Sequence, residues 1–563
     1  MSRVSRRKRQ AQPSPHQIAA SDRPATPGQG GFGLPLLLTL ALAALCFVPR
    51  IREDELLTAS FAGAAGLLLV WQGALALRLR RRAATAIPQA DSSERAASSE
   101  PGGGKRGAAA GGGAPGVVTS LRPQHYVQAA VQLSVLLYWG YYWGPVYDHA
   151  WLLFGQLLFA YVFDMLLAWS RGERYALGFG PFPIIFSTNL FLWFRDDWFA
   201  LQFLMIAVGF LGKAFVRWER EGRRVHIFNP SAFSLGLFSI ALIATDATSI
   251  TWGEEIATTL TLAPNIYLFL FLAGLVVMYA FSITLVAASA AIVLFGLSAL
   301  WSATTGVPYF IDSEIPTAVF LGLHLLVTDP STSPRTPIGK TIFGVLYGGC
   351  VFGLYALLGA FGVPTFYDKL LGVPLLNLGV RRIDALVTRI GSSAPLESAA
   401  VWLARPRANL TQMAVWIAFF FTMAALGATD SRHRGDTLPF WEQACAEERP
   451  QGCERLVQIQ ASYCADASAW ACNELGRHYR EGALVEANAE LALGYFGRAC
   501  ELRFQPACLN LLAGDGRYRG PPKTLDLRLL LREGGANLME MPEPELHARA
   551  CEHGWTFACE GAR

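Results

Sequence analysis

The sequence predicts an all-α protein: a polytopic helical membrane bundle followed by a C-terminal α-solenoid of helical repeats. Three observations predict it. Only 16% of the 563 residues are charged and 52% are hydrophobic, against about 25% charged in soluble domains. Lys and Arg gather on alternate connections between apolar runs, the pattern that sets membrane orientation. Eight of the ten cysteines follow residue 440, in four pairs spaced eight apart.

The elements follow in chain order. Residues 1–31 form a basic tail with Arg3, Arg6, Arg7, Lys8 and Arg9. No small-residue cleavage site follows the first apolar stretch, so that stretch reads as a retained signal-anchor. Spans 32–49 and 55–77 make a transmembrane hairpin over 32–78, ending at Arg78, Arg80, Arg81 and Arg82. The Gly/Ala-rich stretch 79–124 is too polar and small to bury a core and reads as a disordered cytoplasmic linker.

Within 125–385, runs of about 18 nearly charge-free residues recur, each long enough to cross about 30 Å of hydrocarbon. They fall at 125–145, 149–169, 180–194, 197–216, 228–245, 265–282, 283–302, 315–327 and 340–361, and another follows at 409–428. The basic tail, Arg78–Arg82, Arg171/Arg174, Lys213–Arg224 and Arg335/Lys340 then share one side, which is cytoplasmic. The opposite connections carry Asp148, Asp196/Asp197, Asp246/Glu254/Glu255 and Asp312/Glu314, with Arg50, Arg52 and Arg195 as exceptions, each beside acidic residues.

Five arginines within 381–408 break this rule unless the chain crosses once more at 363–379. That segment holds Asp368, Lys369 and Pro374; a broken helix is tolerated where neighbouring protein satisfies its backbone. Thirteen spans result. Residues 386–408 become a cytoplasmic linker, and 429–563 become periplasmic, in a bacterial inner membrane.

The cysteines support that compartment. The pairs Cys445/Cys453, Cys464/Cys472, Cys500/Cys508 and Cys551/Cys559 join the end of one helix to the start of the next, and four disulfides need an oxidising environment. The alternative is small residues at repeat packing positions. Cys464 to Cys500 and Cys472 to Cys508 are both 36 residues, a helical-repeat period. Ala471-Cys472-Asn473-Glu474-Leu475-Gly476 and Ala507-Cys508 with Leu511 share that offset. This region resembles the SEL-one-like, tetratricopeptide-related repeats, which implies a surface that docks a periplasmic protein.

Three motifs go beyond hydropathy. Phe228-Asn229-Pro230 opens one span, Thr328-Asp329-Pro330-Ser331-Thr332 closes another, and Val373-Pro374-Leu375-Leu376-Asn377 lies in the short crossing. Asn-Pro and Asp-Pro breaks free backbone polar groups at the membrane edge, where half-helix ends suit ion or anion sites. In this order, and with Gly212-Lys213 ahead of them, the motifs resemble the NqrB/RnfD family. Its members are integral membrane components of the Na⁺-translocating NADH:quinone reductase and of the Rnf complex. The resemblance covers about 125–385, ten of the thirteen spans. The wording His226-Ile227-Phe228-Asn229-Pro230-Ser231-Ala232-Phe233 looks closer to a divergent branch among enediyne-biosynthesis membrane proteins.

That resemblance implies flavin-mediated electron transport coupled to ion movement, with the other subunits of a redox complex as partners. Its covalent members esterify FMN to a threonine in a Ser-x-Ala-Thr type sequence; here Glu255-Ile256-Ala257-Thr258-Thr259 offers only Thr258. A non-covalent flavin (FMN or riboflavin) and a scaffold without one both stay open. Lys213 is either a positive-inside anchor or a phosphate partner. Asn229, Pro230, Thr328 and Asp329 are either helix caps or cofactor-site residues. Asp164 and His324, inside apolar spans, are either packed polar residues or an ion pathway. Trp139, Tyr141, Tyr142 and Trp143 read as an interfacial belt. No metal-ligand spacing, nucleotide loop, nucleophile triad or nucleic-acid-binding feature is present.

Overall fold

The computed structural model describes residues 31–85, 116–220, 222–310, 313–327, 329–364, 366–390, 408–429, 433–436, 438–465, 468–502 and 504–512, with isolated positions 544, 548 and 559. All thirteen predicted stretches contain a helix. Six described helices are long and apolar enough to cross a membrane: Glu55–Arg81, Ala150–Ser170, Asp196–Phe215, Thr284–Thr305, Pro337–Gly359 and Ala408–Ala425. A seventh candidate is the pair Gly253–Leu262 and Ile266–Phe281, bent by 100°.

Two predicted spans are not single helices. Pro181–Asn189 and Thr317–Leu325 have nine residues each, about 13.5 Å of helix. The apolar runs 180–194 and 315–327 continue beyond them as non-helical chain; Phe194 forms a bridge with Thr251. Hydropathy counts apolar residues and cannot see where the helix stops.

The short helices expose an internal repeat. The first half contains Pro123–Tyr142, Ala150–Ser170, Pro181–Asn189, Phe199–Phe215 and Pro230–Ala244. The second contains Ile266–Phe281, Thr284–Thr305, Thr317–Leu325, Pro337–Gly359 and Asp368–Ile390. In each half the first helix packs on the short third, the second on the third and fourth, and the fourth on the fifth. The halves meet first helix to first and fifth to fifth. Five passages per half are an odd number, so the second half runs with opposite polarity to the first.

Hydrogen bonds tie the connections into two ends. At one end, which we call the Asn229 end, Arg220 pairs with Asp384 at 2.6 Å, and Lys340 Nζ donates to the Ser282 carbonyl at 2.7 Å. At the other, the Gly306 end, Arg50 pairs with Asp196 at 2.6 Å, and Tyr367 Oη lies 2.7 Å from Thr251 Oγ1. The helix after the repeat, Ala408–Ala425, starts at the Asn229 end, where Asn409 Oδ1 accepts from Thr284 Oγ1 at 3.1 Å. It leads to the Gly306 end, where the C-terminal module sits.

Four expectations need correction. The second hairpin helix, Glu55–Thr85, runs through the arginines placed in the linker. Residues 117–119 of that linker form a strand, Val117–Thr119, parallel to Tyr175–Leu177. A second small sheet pairs Arg217–Arg220 with Arg223–His226, so the bundle is not wholly α. The crossing placed at 363–379 is the front of helix Asp368–Ile390, which keeps Pro374 inside it. Most of the linker placed at 386–408 lies outside the described residues.

The C-terminal module contains helices Leu438–Ala446, Gly452–Ala465, Ala469–Glu481, Ala489–Glu501 and Gln505–Leu512. Disulfides Cys445–Cys453, Cys464–Cys472 and Cys500–Cys508 each join the end of one helix to the start of the next. Cys551 lies outside the described residues; Cys559 is disulfide-bonded.

Candidate functional site

At the Asn229 end the three sequence motifs converge. Asn229 caps helix Pro230–Ala244: its Oδ1 accepts from the amides of Ser231 and Ala232 at 3.1 and 3.3 Å, satisfying donors that a helix start leaves open. Its Nδ2 donates to the Leu326 carbonyl at 3.1 Å, just past the second short helix. Asn377 Oδ1 accepts from the Asn229 amide at 3.1 Å, and Asn377 Nδ2 donates to the Thr332 carbonyl at 3.2 Å. One asparagine from each half therefore ties down the loop after the second short helix.

Asp329 lies in that loop. Its Oδ1 accepts from the Ser331 amide at 2.9 Å and from the Ser331 hydroxyl, and its Oδ2 lies 3.6 Å from His226 Nε2. Its carboxyl is held below the usual carboxylate range. Burial opposes this, and the hydrogen bonds and charge of His226 together with the Ser331 bonds outweigh burial. Thr328 lies outside the described residues.

The polar groups of Asn229 and Asp329 are thus spent on the protein itself. Lys213 differs. Its ammonium stands 5.4 Å from the Phe210 ring centre and makes no hydrogen bond among the described residues. Arg122, Lys213 and Asp329 are all within electrostatic reach of His125. Phe228 stacks on Phe233 at 4.9 Å, and Phe233 fits because a Cβ on Gly212 would fall 2.6 Å from its ring. A cation without a hydrogen-bond partner among the described residues suits an anionic group such as a phosphate. The surroundings of Thr258 do not. It is exposed at the Gly306 end, its hydroxyl donates back to the Glu254 carbonyl at 3.0 Å, and Glu254 and Glu255 have the wrong charge for a phosphate.

Asp164 and His324 are not brought together; among the described residues no hydrogen bond or ion pair joins one to the other. Asp164 is half-buried within electrostatic reach of Tyr175. His324 is fully buried, with Nδ1 2.7 Å from the Phe320 carbonyl oxygen. A Cβ on Gly274 would fall 1.9 Å from its ring, so Gly274 makes the space that His324 fills.

Sequence reasoning missed a second cluster, inside the first half. Gln156 Nε2 donates to Asn189 Oδ1 at 3.1 Å, and Asn189 Nδ2 donates to Gln156 Oε1 at 2.7 Å. Gln202 Nε2 donates to the same Gln156 oxygen at 3.2 Å, and Gln132 Nε2 to Ser187 Oγ at 2.7 Å. His149 Nε2 lies 3.0 Å from Asn189 Oδ1, and its ring stacks on Trp193 at 4.2 Å. All these polar groups are buried. Trp139, predicted for the belt, is instead fully buried and stacks on Trp143 at 5.0 Å. The available signal was an amide inside each of several apolar helices.

No three His, Cys, Asp or Glu side chains among the described residues gather as metal ligands would. Comparison with known proteins adds no identity: no family model, no curated protein and no solved structure matches this chain. The class defined by fold and site is a helical bundle with membrane-length helices, an internal five-helix repeat and a disulfide-bonded helical module.

Proposed function

We propose that the bundle is a membrane-embedded subunit of a redox-driven, ion-translocating electron-transport complex of the NqrB/RnfD type, and that the C-terminal module docks a periplasmic protein. The observation that carries this reading is the meeting of the Phe-Asn-Pro, Asp-Pro and Pro-Leu-Leu-Asn segments around the loop after an interrupted helix. Interrupted helices paired across an inverted repeat are the architecture in which membrane proteins hold a substrate or ion at the repeat interface.

In this reading Asn229 and Asn377 position the loop, and Asp329 with His226 fixes its charge. Lys213, His125 and Arg122 bind the anionic part of a non-covalent flavin, and the Phe228–Phe233 stack borders its ring. A bound flavin supplies reversible one- and two-electron chemistry. The oxidoreductase is then the assembled complex, and this chain is one subunit. The basic connections face the cytoplasm, and the module lies in the oxidising periplasm that its disulfides require.

The test is an absorbance spectrum of the purified full-length protein before and after acid precipitation. The reading predicts flavin released into the acid supernatant and lost in Lys213→Glu. Protein without flavin absorbance in either fraction overturns the redox assignment. A second reading, a non-redox transporter of a small neutral molecule, is favoured by one observation: the buried cluster around Asn189 consists of uncharged hydrogen-bonding groups.

A further inference from the structure

The loop feeding each short helix is pinned by a segment from outside the ten-helix unit. In the first half that loop is 171–180. Strand Val117–Thr119 pairs with Tyr175–Leu177, and the Ser120 amide donates to the Leu177 carbonyl at 2.8 Å. A Cβ on Gly178 would fall 2.1 Å from the Ser120 carbonyl oxygen, so the two backbones touch.

The matching loop of the second half comprises the described residues 306–310 and 313–316, and there the C-terminal module takes the strand's place. Gly306 ends helix Thr284–Thr305 at φ +74°, a conformation that favours glycine, and its carbonyl accepts from Arg449 Nη1 at 3.1 Å. Val307, 1% exposed, joins the module's apolar cluster with Leu438, Trp441, Ala444 and Leu456. Glu314 is held from both sides: Ser298 Oγ of the bundle donates to Oε2 at 2.6 Å, and His433 Nε2 of the module lies 3.6 Å from Oε1. Farther along, Arg455 of the module stands 5.3 Å from the centre of the Tyr355 ring, which Lys369 Nζ approaches at 6.0 Å.

We propose that the module is a cap seated in cis on the second half, latched through Gly306–Arg449 and Glu314–His433, and that unlatching frees the loop into the second short helix. A module merely tethered behind helix Ala408–Ala425 needs none of these contacts. It would leave a valine exposed on the bundle and an outward glutamate without its imidazole partner. A protein bound to the module then acts on the second half while the first half, pinned by its own strand at the opposite end, is unaffected. This inference does not rest on the flavin reading.

The test uses the full-length chain with Cys46→Ser and Cys350→Ser. Val307→Cys and Ser313→Cys report the loop, and Leu493→Cys, 55% exposed, is the control. With a bulky maleimide, both loop cysteines should react at least about tenfold more slowly than the control, and Glu314→Gln with Arg449→Ala should restore about tenfold of that rate. A Val307→Cys rate equal to the control, or unchanged by the latch substitutions, overturns the cap. If the cysteine variants do not fold, hydrogen exchange on the native sequence decides. Amides of 306–316 should lose protection in Arg449→Ala while those of 175–180 do not; equal behaviour of the two loops refutes it.

Discussion

The two halves of the bundle share a frame and differ in what fills it. Around its short helix the first half packs a hydrogen-bonded set of amides and an imidazole: Gln156, Asn189, Gln202 and His149. The second half packs its short helix mostly with apolar side chains and one histidine, with the Thr317 hydroxyl donating to Tyr267 Oη at 3.0 Å, and brings its other helices together through glycines. A Cβ on Gly344 would fall 2.0 Å from Ser289 Oγ and 2.3 Å from the Val286 carbonyl oxygen. The first half adds a buried polar network around its short helix, and the second adds its closest backbone approach, at Gly344. The difference teaches that an internal repeat keeps helix placement without keeping the forces that maintain it.

The strongest way to break the comparison is to remove what pins only the second half. Reducing the module's disulfides releases loops of about eight residues, each contributing roughly 2.5 kcal/mol in the chain-entropy model. Reductant should therefore melt the module and raise hydrogen exchange in 306–316, with 175–180 unchanged. Exchange rising equally in both loops would show that the halves are not pinned independently.

Next in size is Gly344→Ala, which drives a methyl into backbone and should cost about 3 kcal/mol, the upper part of the overpacking range. Gly209, on the fourth helix of the first half, would place its Cβ 3.0 Å from the Pro230 carbonyl oxygen, and Gly209→Ala should cost about 1 kcal/mol. Thermal unfolding in detergent ranks them, and a reversed order contradicts the glycine-packed second half. Asn189→Leu strands Gln156 and His149 and should cost about 2 kcal/mol, whereas His324→Leu removes the contact with the Phe320 carbonyl and should cost about 1 kcal/mol or less.

A further effect is pH-dependent and belongs to the module. Burial, helped by the Arg477 charge, holds the His478 imidazole down to about 4 in the folded module. An unfolded chain titrates near its ordinary 6.5. The lowered value means the fold favours neutral His478. Its contribution is complete above about pH 6.5 and is lost as pH falls toward 4. A pH series of unfolding temperatures should slope downward across that window in the native chain, and less so in His478→Gln.

The helices were legible in the sequence and the repeat was not. Apolar runs located nine of the ten repeat helices, and the arginines of 381–408 called for the tenth, because burial and membrane passage both select the same residues. They could not show that 180–194 and 315–327 are helical for only nine residues, since extended chain packed against protein is equally apolar. The motifs around Asn229, Asp329 and Asn377 were legible because Asn-Pro and Asp-Pro are rare, polar punctuation in apolar sequence. Their convergence was not, because Asn229 and Asn377 are separated by most of the second half. The Asn189 cluster went unseen for a related reason: Gln132, the His149/Gln156 pair, Asn189 and Gln202 come from four separate segments. Three of the four cysteine pairs were legible, since a spacing of eight matches one helix end, a turn and the next helix start; Cys551 of the fourth lies outside the described residues.

The central claim is that the Asn229 and Gly306 ends lie on opposite sides of a membrane. Impermeant thiol labelling in intact cells tests it, using Gly222→Cys at the first end and Thr258→Cys at the second, with both free cysteines replaced. The account predicts that Thr258→Cys labels at once and Gly222→Cys only after the cells are permeabilised. Labelling of both from outside, or of neither, would contradict it.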